Sequence, residues 1–199
     1  MNATALINSA LDELLGRVRP SLALITNGRR GSGAGVLAEA GLVLTNMHVV
    51  GRARSVQVIL DDDTHYDAKV IASDPKVDLA LLQIPANGHT PAVISSATPR
   101  PGELVYAFGH PWGQRNVLTG GVLSAVTRIR GRDGDVPVLR ADVQLAPGNS
   151  GGPLLNAAGE VIGLNAMIFG GDQSVAIPSS LIRSFLAGAR KDSVPEGVL

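Results

Sequence analysis

Pro147-Gly148-Asn149-Ser150-Gly151-Gly152-Pro153 is the stretch on which the reading of this chain turns. A serine stands among glycines, with Val143 to Ala146 before it and Leu154-Leu155 after. Glycines permit a tight turn with φ values closed to other residues. Such a turn pushes a side chain outward and aims successive backbone N–H groups into one small space. A nucleophilic serine needs both features: an exposed Oγ, and N–H donors facing the oxyanion that develops. Read alone, the same residues also fit a glycine-rich hairpin turn with an incidental serine. The rest of the chain has to decide.

A serine nucleophile requires a base, and the base an orienting carboxylate. The chain has four histidines, His48, His65, His89 and His110, and all precede Ser150. Gly148-x-Ser150-x-Gly152 fits the nucleophile elbow of α/β-hydrolases, but that fold runs in the order Ser, acid, His. The subtilisin order is Asp, His, Ser, and the only aspartate before His48 is Asp12, in a helix-like segment. What remains is His, Asp, Ser, an order that resembles the chymotrypsin-type proteases.

The 199 residues suffice for one sizeable domain or two small ones that share an interface. Hydrophobic residues make up 45% and aromatics only 3%, so the core must be aliphatic. Twenty-four glycines and twelve prolines imply many turns and favour an all-β fold. Zero formal net charge argues against a strong nucleic-acid or anionic-membrane surface. The absence of cysteine excludes disulfides and cysteine-ligated metals. No apolar run reaches the roughly 18 residues of a transmembrane helix, and the N-terminus lacks a basic-then-apolar signal pattern. The chain as given reads as cytoplasmic, or as exported if a leader has been removed.

Taken in order, Thr4 to Val18 reads as an amphipathic helix ended by Pro20. From Ser21 the pattern becomes short apolar runs broken by turns. Strands are expected at Leu22–Thr26, Val36–Ala38, Leu42–Thr45, Val56–Leu60, Lys69–Ala72 and Leu79–Leu82. Arg29 to Gly35 reads as a flexible basic loop; without a following lysine and helix it is not a phosphate cradle. His48, just past a strand and followed by two valines, is either a satisfied structural histidine or a rigidly held base. Asp74 precedes a proline and suits a turn cap. Asp78 enters the apolar run Leu79 to Leu82, where a carboxylate needs a partner, so Asp78 is the better candidate for the acid. Ala86 to Gly102 reads as a crossover, with His89 solvated. Strands are then expected at Leu104–Phe108, Val117–Val126, Val136–Leu145, Val161–Asn165 and Ser174–Ile177, with a polar loop at Arg130–Asp135. A helix follows Pro178 with Leu181, Ile182, Phe185 and Leu186 on one face, and Lys191 to Leu199 reads as a frayed tail.

Five motifs in this order resemble the HtrA (Deg) branch of trypsin-like serine proteases. They are Gly31-Ser32-Gly33-Ala34-Gly35-Val36, Thr45-Asn46-x-His48-Val49-Val50, Asp74-Pro75-x-x-Asp78-Leu79-Ala80-Leu81-Leu82, Gly148-Asn149-Ser150-Gly151-Gly152-Pro153-Leu154 and Ala176-Ile177-Pro178-Ser179. The resemblance runs from about Ser21 to Arg190. It implies two six-stranded antiparallel β-barrels with a cleft between them, flanked here by N-terminal and C-terminal helices. The expected divisions are an N-terminal helix over 1–20, a first barrel over 21–98 and a second barrel with its C-terminal helix over 99–199.

The resemblance further implies Ser150 as nucleophile, His48 as general base and then acid, and Asp78 as the residue that fixes the His48 tautomer. Backbone N–H groups of Gly148 and Ser150 are implied as the oxyanion hole. Leu145, Met167 and Ile168 are implied as walls of the S1 pocket; all three are apolar, so cleavage is expected after small or medium aliphatic residues. The expected activity is that of a serine endopeptidase on unfolded or exposed protein segments, with no cofactor or metal. The alternative is a resting or inactive module that binds peptides or acts as a chaperone. The family also implies trimers formed through N-terminal contacts. Three departures stand out. The chain stops after the C-terminal helix, so no PDZ domain is expected. Ala146 stands where members often carry Asn. Members are commonly exported, and no export signal is visible.

Overall fold

Two runs, Leu79-Ala80-Leu81-Leu82 and Pro153-Leu154-Leu155, are apolar at every position, and where they are buried explains the architecture. The computed structural model describes residues 2–28, 32–85, 88–131, 134–169 and 173–192. Helix α1 (Ala3–Val18) leads into β1 (Leu22–Thr26), β2 (Ser32–Glu39), β3 (Leu42–Asn46), a one-turn helix α2 (Met47–Val50), β4 (Ser55–Ile59), β5 (His65–Asp74) and β6 (Leu79–Gln83). The second half holds β7 (Leu104–Gly109), β8 (Val117–Gly131), β9 (Gly134–Ala141), β10 (Pro153–Asn156), β11 (Val161–Phe169), β12 (Gln173–Pro178) and helix α3 (Ser179–Asp192). The strands form two closed six-stranded barrels, in the orders β1-β2-β3-β6-β5-β4 and β10-β11-β12-β9-β8-β7. Every pairing is antiparallel. This is the all-β, two-barrel class expected above.

Successive strand residues point to opposite faces. In β6, Ala80 and Leu82 face the interior of the first barrel with Val43, Val58 and Leu60. Leu79 and Leu81 face the other way, into a core shared with Phe108, Leu155 and Leu164 of the second barrel. β10 repeats the device: Leu154 fills the second barrel, and Leu155 joins the shared core. Strands that are apolar on both faces are therefore the ones along which the barrels meet. The helices close this layer. Leu14 and Val18 of α1, and Ile182, Leu186 and Ala189 of α3, pack into it. The side chain of Asn2 caps α1 by accepting the N–H of Ala5 at 2.9 Å. The first half of α1 stands clear of the body, with Leu6 and Ile7 exposed. No described helix is long and apolar enough to cross a membrane.

Five expectations need correction. Ser32 to Gly35 is not a flexible loop but part of β2, where small residues let neighbouring segments approach closely; Arg29 to Gly31 lie outside the described residues. The strand expected over Val136–Leu145 ends at Ala141. Beyond it, the carbonyls of Val143 and Gln144 accept from the hydroxyls of Ser174 and Thr119 rather than from a neighbouring strand. The polar loop expected over Arg130–Asp135 is narrower, since Arg130 pairs with Asp135 in the β8–β9 ladder. His89 is not free in solvent: its Nε2 lies 3.3 Å from the Tyr66 hydroxyl. Lys191 and Asp192 belong to α3, and residues 193–199 lie outside the described ones.

Phe108 is fully buried in the shared layer. Phe108→Ala is expected to destabilise the protein by about 3–5 kcal/mol, the range for truncating a core aromatic. Thermal unfolding should then shift down by roughly 10 °C.

Candidate active site

β3 and β6 are paired so that Asn46 lies opposite Leu79. The end of one strand and the start of the other therefore adjoin, which brings His48 and Asp78 together across 30 residues of sequence. The chain leaves β3 through α2, a turn of helix that sequence patterning did not reveal. Asp78 adopts a left-handed backbone, φ +54°, a conformation that Asp tolerates better than most residues. Its main chain is held twice: its carbonyl accepts the Met47 N–H at 3.1 Å and the Asn46 side-chain amide at 3.0 Å. Its carboxylate is held twice as well. Oδ1 accepts the His48 N–H at 2.9 Å, and Oδ2 lies 2.6 Å from His48 Nδ1. An ionised carboxylate only accepts. The imidazole proton then sits on Nδ1, and Nε2 keeps its lone pair. The imidazole is half exposed.

The turn carrying Ser150 is cross-braced to both barrels. Asn149 N–H donates to Ala146 O at 3.0 Å, Gly151 N–H to Asn165 O at 2.8 Å, and Asn165 N–H back to Gly152 O at 2.8 Å. The Ser150 carbonyl accepts the Ala34 N–H of β2 at 2.8 Å. Gly33 lies beside this bond: a Cβ there would come within 2.7 Å of Val49 and 3.0 Å of Ser150 O. The serine turn is thus fastened one residue away from His48. The hydroxyl itself points elsewhere. Ser150 Oγ donates to the carbonyl of Ala166 at 3.1 Å and makes no hydrogen bond to His48. Among the described residues, the N–H groups of Gly148 and Ser150 have no partner within the protein. Gly148 has φ +108° and lies against the His110 carbonyl, so a Cβ there would overlap it.

Leu145 lines a cavity of about 530 Å³ together with Pro111, Val117, Asp142, Gln144 and Asn149. Of Met167 and Ile168, the backbone pairs with Val175 and Ser174 in the β11–β12 ladder; their side chains lie outside the described ones. No group of three or more His, Asp or Glu able to hold a metal occurs among the described residues.

Comparison with known proteins accords with this arrangement. A model of the trypsin-like peptidase domain matches residues 31–164. The chain belongs to the trypsin-like peptidase family. Within that family it is similar to proteases of the HtrA type. It is 42% identical to the serine protease HTRA1 of Xenopus tropicalis over 163 residues, which cover 78% of this chain and 35% of that protein. It is 40% identical to a probable periplasmic serine endoprotease, DegP-like, of Marinomonas over 173 residues, 83% of this chain and 37% of that protein. The chain therefore spans about a third of the length of these relatives. Among solved structures, the serine endoprotease of Yersinia pestis superposes with a TM-score of 0.81 at 30% identity, covering 91% of this chain and 66% of that one. An HtrA-type protease solved with a tripeptide superposes with a TM-score of 0.83 at 30% identity, covering 89% and 62%.

Sequence reasoning reads Gly109 to Gly113, between β7 and β8, as a turn carrying the only tryptophan and gives it no part in the site. His110 is 1% exposed, and its Nδ1 accepts the N–H of Asn116 at 3.2 Å. Burial, with the nearby Arg115 charge, lowers its pKa to about 4, while the Ala23 carbonyl and Asp61 oppose the drop. The segment is clasped to the first barrel. Arg115 pairs with Asp63 and donates to Leu60 O at 2.6 Å, and Asn116 Nδ2 donates to Asp61 at 2.9 Å. A histidine before Pro111 and the only tryptophan mark this segment in the sequence.

This histidine sets a pH dependence. The unfolded chain takes up its proton near the ordinary value of 6.5, the folded chain only near 4. Between those values the unfolded state binds more protons, so stability falls as pH falls. The full contribution is about 3 kcal/mol, at roughly 1.4 kcal/mol per pKa unit. Denaturant unfolding of wild type and His110→Asn from pH 7 to pH 4 should show that the variant loses less stability across this window.

Proposed function

We propose that this chain is a serine endopeptidase that cleaves unfolded or exposed protein segments through an acyl-enzyme. One observation carries the reading. A carboxylate holds a histidine through Nδ1 at 2.6 Å, and a serine in a braced turn is fastened to β2 where Gly33 abuts Val49, the residue after that histidine, with the N–H groups of Gly148 and Ser150 unspent. In the proposed reaction, Ser150 Oγ attacks the scissile carbonyl while His48 Nε2 takes its proton. Asp78 keeps the ring oriented and stabilises the imidazolium. The N–H groups of Gly148 and Ser150 receive the oxyanion. The imidazolium then protonates the leaving amine, and a water activated by the same nitrogen releases the acyl group from Ser150.

For the first step, Ser150 Oγ must leave Ala166 O and turn to His48. A neutral hydrogen bond of this kind contributes only about 1 kcal/mol net, so substrate binding can readily supply the change. The same bond supports a resting state of the enzyme, in which the serine is parked until substrate arrives.

Leu145, Met167 and Ile168 as pocket walls belong to this proposal, with a preference for Val, Ala, Ile or Leu before the cut bond. Self-association through the exposed Leu6 and Ile7 face of α1 belongs to it too. An unfolded casein and a peptide panel test the activity and the preference. Ser150→Ala and His48→Ala should each lower kcat by about 10⁶-fold, and Asp78→Asn, which favours the wrong tautomer, by about 10⁴-fold. Cleavage that survives Ser150→Ala would refute the mechanism, and a panel cut best after Lys or Arg would refute the pocket assignment.

A further inference from the structure

The reaction just described makes no use of the buried His110 side chain. His110 Nδ1 accepts the Asn116 N–H, so the ring proton lies on Nε2, which is buried beside the Ala23 carbonyl but without a well-formed hydrogen bond to it. A buried donor so poorly paired is unfavourable. A leucine or phenylalanine would fill the same space without that cost. What neither could supply is the Nδ1 lone pair. That lone pair closes the segment from His110 to Asn116 on itself.

The segment needs the closure. Trp112 and Asn116 both have left-handed backbones, φ +54° and +59°, which are strained for residues with a Cβ. Two further hydrogen bonds stiffen the turn, Gly113 N–H to His110 O at 3.0 Å and Gln114 N–H to Pro111 O at 2.8 Å. Besides its bonds to the first barrel, the stiffened turn donates one hydrogen bond to the serine turn: Trp112 N–H to the Pro147 carbonyl at 2.7 Å. The peptide between Pro147 and Gly148 is trans, and a trans peptide is close to planar. Its C=O and N–H therefore point in opposite directions. Fixing the Pro147 carbonyl on Trp112 fixes the direction of the Gly148 N–H, which is one of the two oxyanion donors proposed above. His110 O packs against the same glycine from behind.

We infer that His110 is a positioning residue for the reaction: its neutral imidazole locks the 110–116 turn, and the turn orients the Gly148 N–H toward the oxyanion. The inference rests on the endopeptidase reading. It concerns a group that touches neither substrate nor the reacting atoms, so it predicts an effect on the chemical step alone.

Three variants separate lone pair from volume. His110→Phe keeps the bulk and loses the acceptor; His110→Ala loses both without crowding; His110→Asn restores an acceptor for the Asn116 N–H. Steady-state kinetics on one peptide substrate are read beside the folded fraction from active-site-independent circular dichroism. His110→Phe should lower kcat by about 10²-fold, the scale for a misplaced oxyanion donor, with KM within about twofold of wild type, as for an interaction made only in the transition state. His110→Asn should recover most of kcat. If His110→Phe does not fold, His110→Ala carries the same expectation. The inference is overturned if the folded acceptor-less variant turns over like wild type. It is also overturned if kcat falls only in proportion to the folded fraction, or if His110→Asn is no better than His110→Phe. Wild-type protein without activity would instead refute the endopeptidase reading.

Discussion

The apolar layer between the two barrels is the constraint on which the rest of the molecule depends. Leu79 and Leu81 from one barrel, and Phe108, Leu155 and Leu164 from the other, are buried together in one cluster. Burying one such side chain is worth about 1.5–3 kcal/mol. A dozen or more of them, with the helical residues Leu14, Val18, Ile182 and Leu186, fix the two halves as a single body. Neither barrel alone could offer a complete candidate site. His48 and Asp78 belong to the first and Ser150 to the turn before β10 in the second.

Polar bonds then refine what the apolar layer positions coarsely. The Ala34 N–H holds the carbonyl of Ser150, and Asn165 returns two bonds to the glycines on the far side of the serine turn. The 110–116 segment reaches back from the second barrel to Asp61, Asp63 and Leu60 of the first. These bonds lie between elements that the shared core already holds in place, so their ordering cost has largely been met by packing. Pre-organisation of this kind is what transition-state stabilisation by backbone donors requires, because donors that must reorient during the reaction give back much of their benefit.

Much of this was legible in the sequence, and the parts that were not share a physical cause. The run Leu79 to Leu82 announced a buried strand, the order His48, Asp78, Ser150 matched the chymotrypsin type, and the family resemblance implied the two barrels. The structure does bring His48 and Asp78 into contact. What sequence pattern missed depends on contacts between distant segments. Ser32 to Gly35 looked like a flexible loop because glycine is permissive, yet Gly33 is small because Val49 and Ser150 crowd it. The strand expected to run to Leu145 stops at Ala141 because two hydroxyls, of Ser174 and Thr119, capture the next carbonyls. Helix α2 is a single turn, too short to show a period. The parked Ser150 hydroxyl and the buried His110 ring depend on tertiary packing alone.

The central claim is that Ser150 is a nucleophile activated by His48. Covalent labelling with a fluorophosphonate, read by intact mass and peptide mapping on wild type and His48→Ala, tests it most directly. The account predicts one label per chain on Ser150 in wild type and its loss in the variant. A label on another residue, or one on Ser150 that forms equally well without His48, would contradict it.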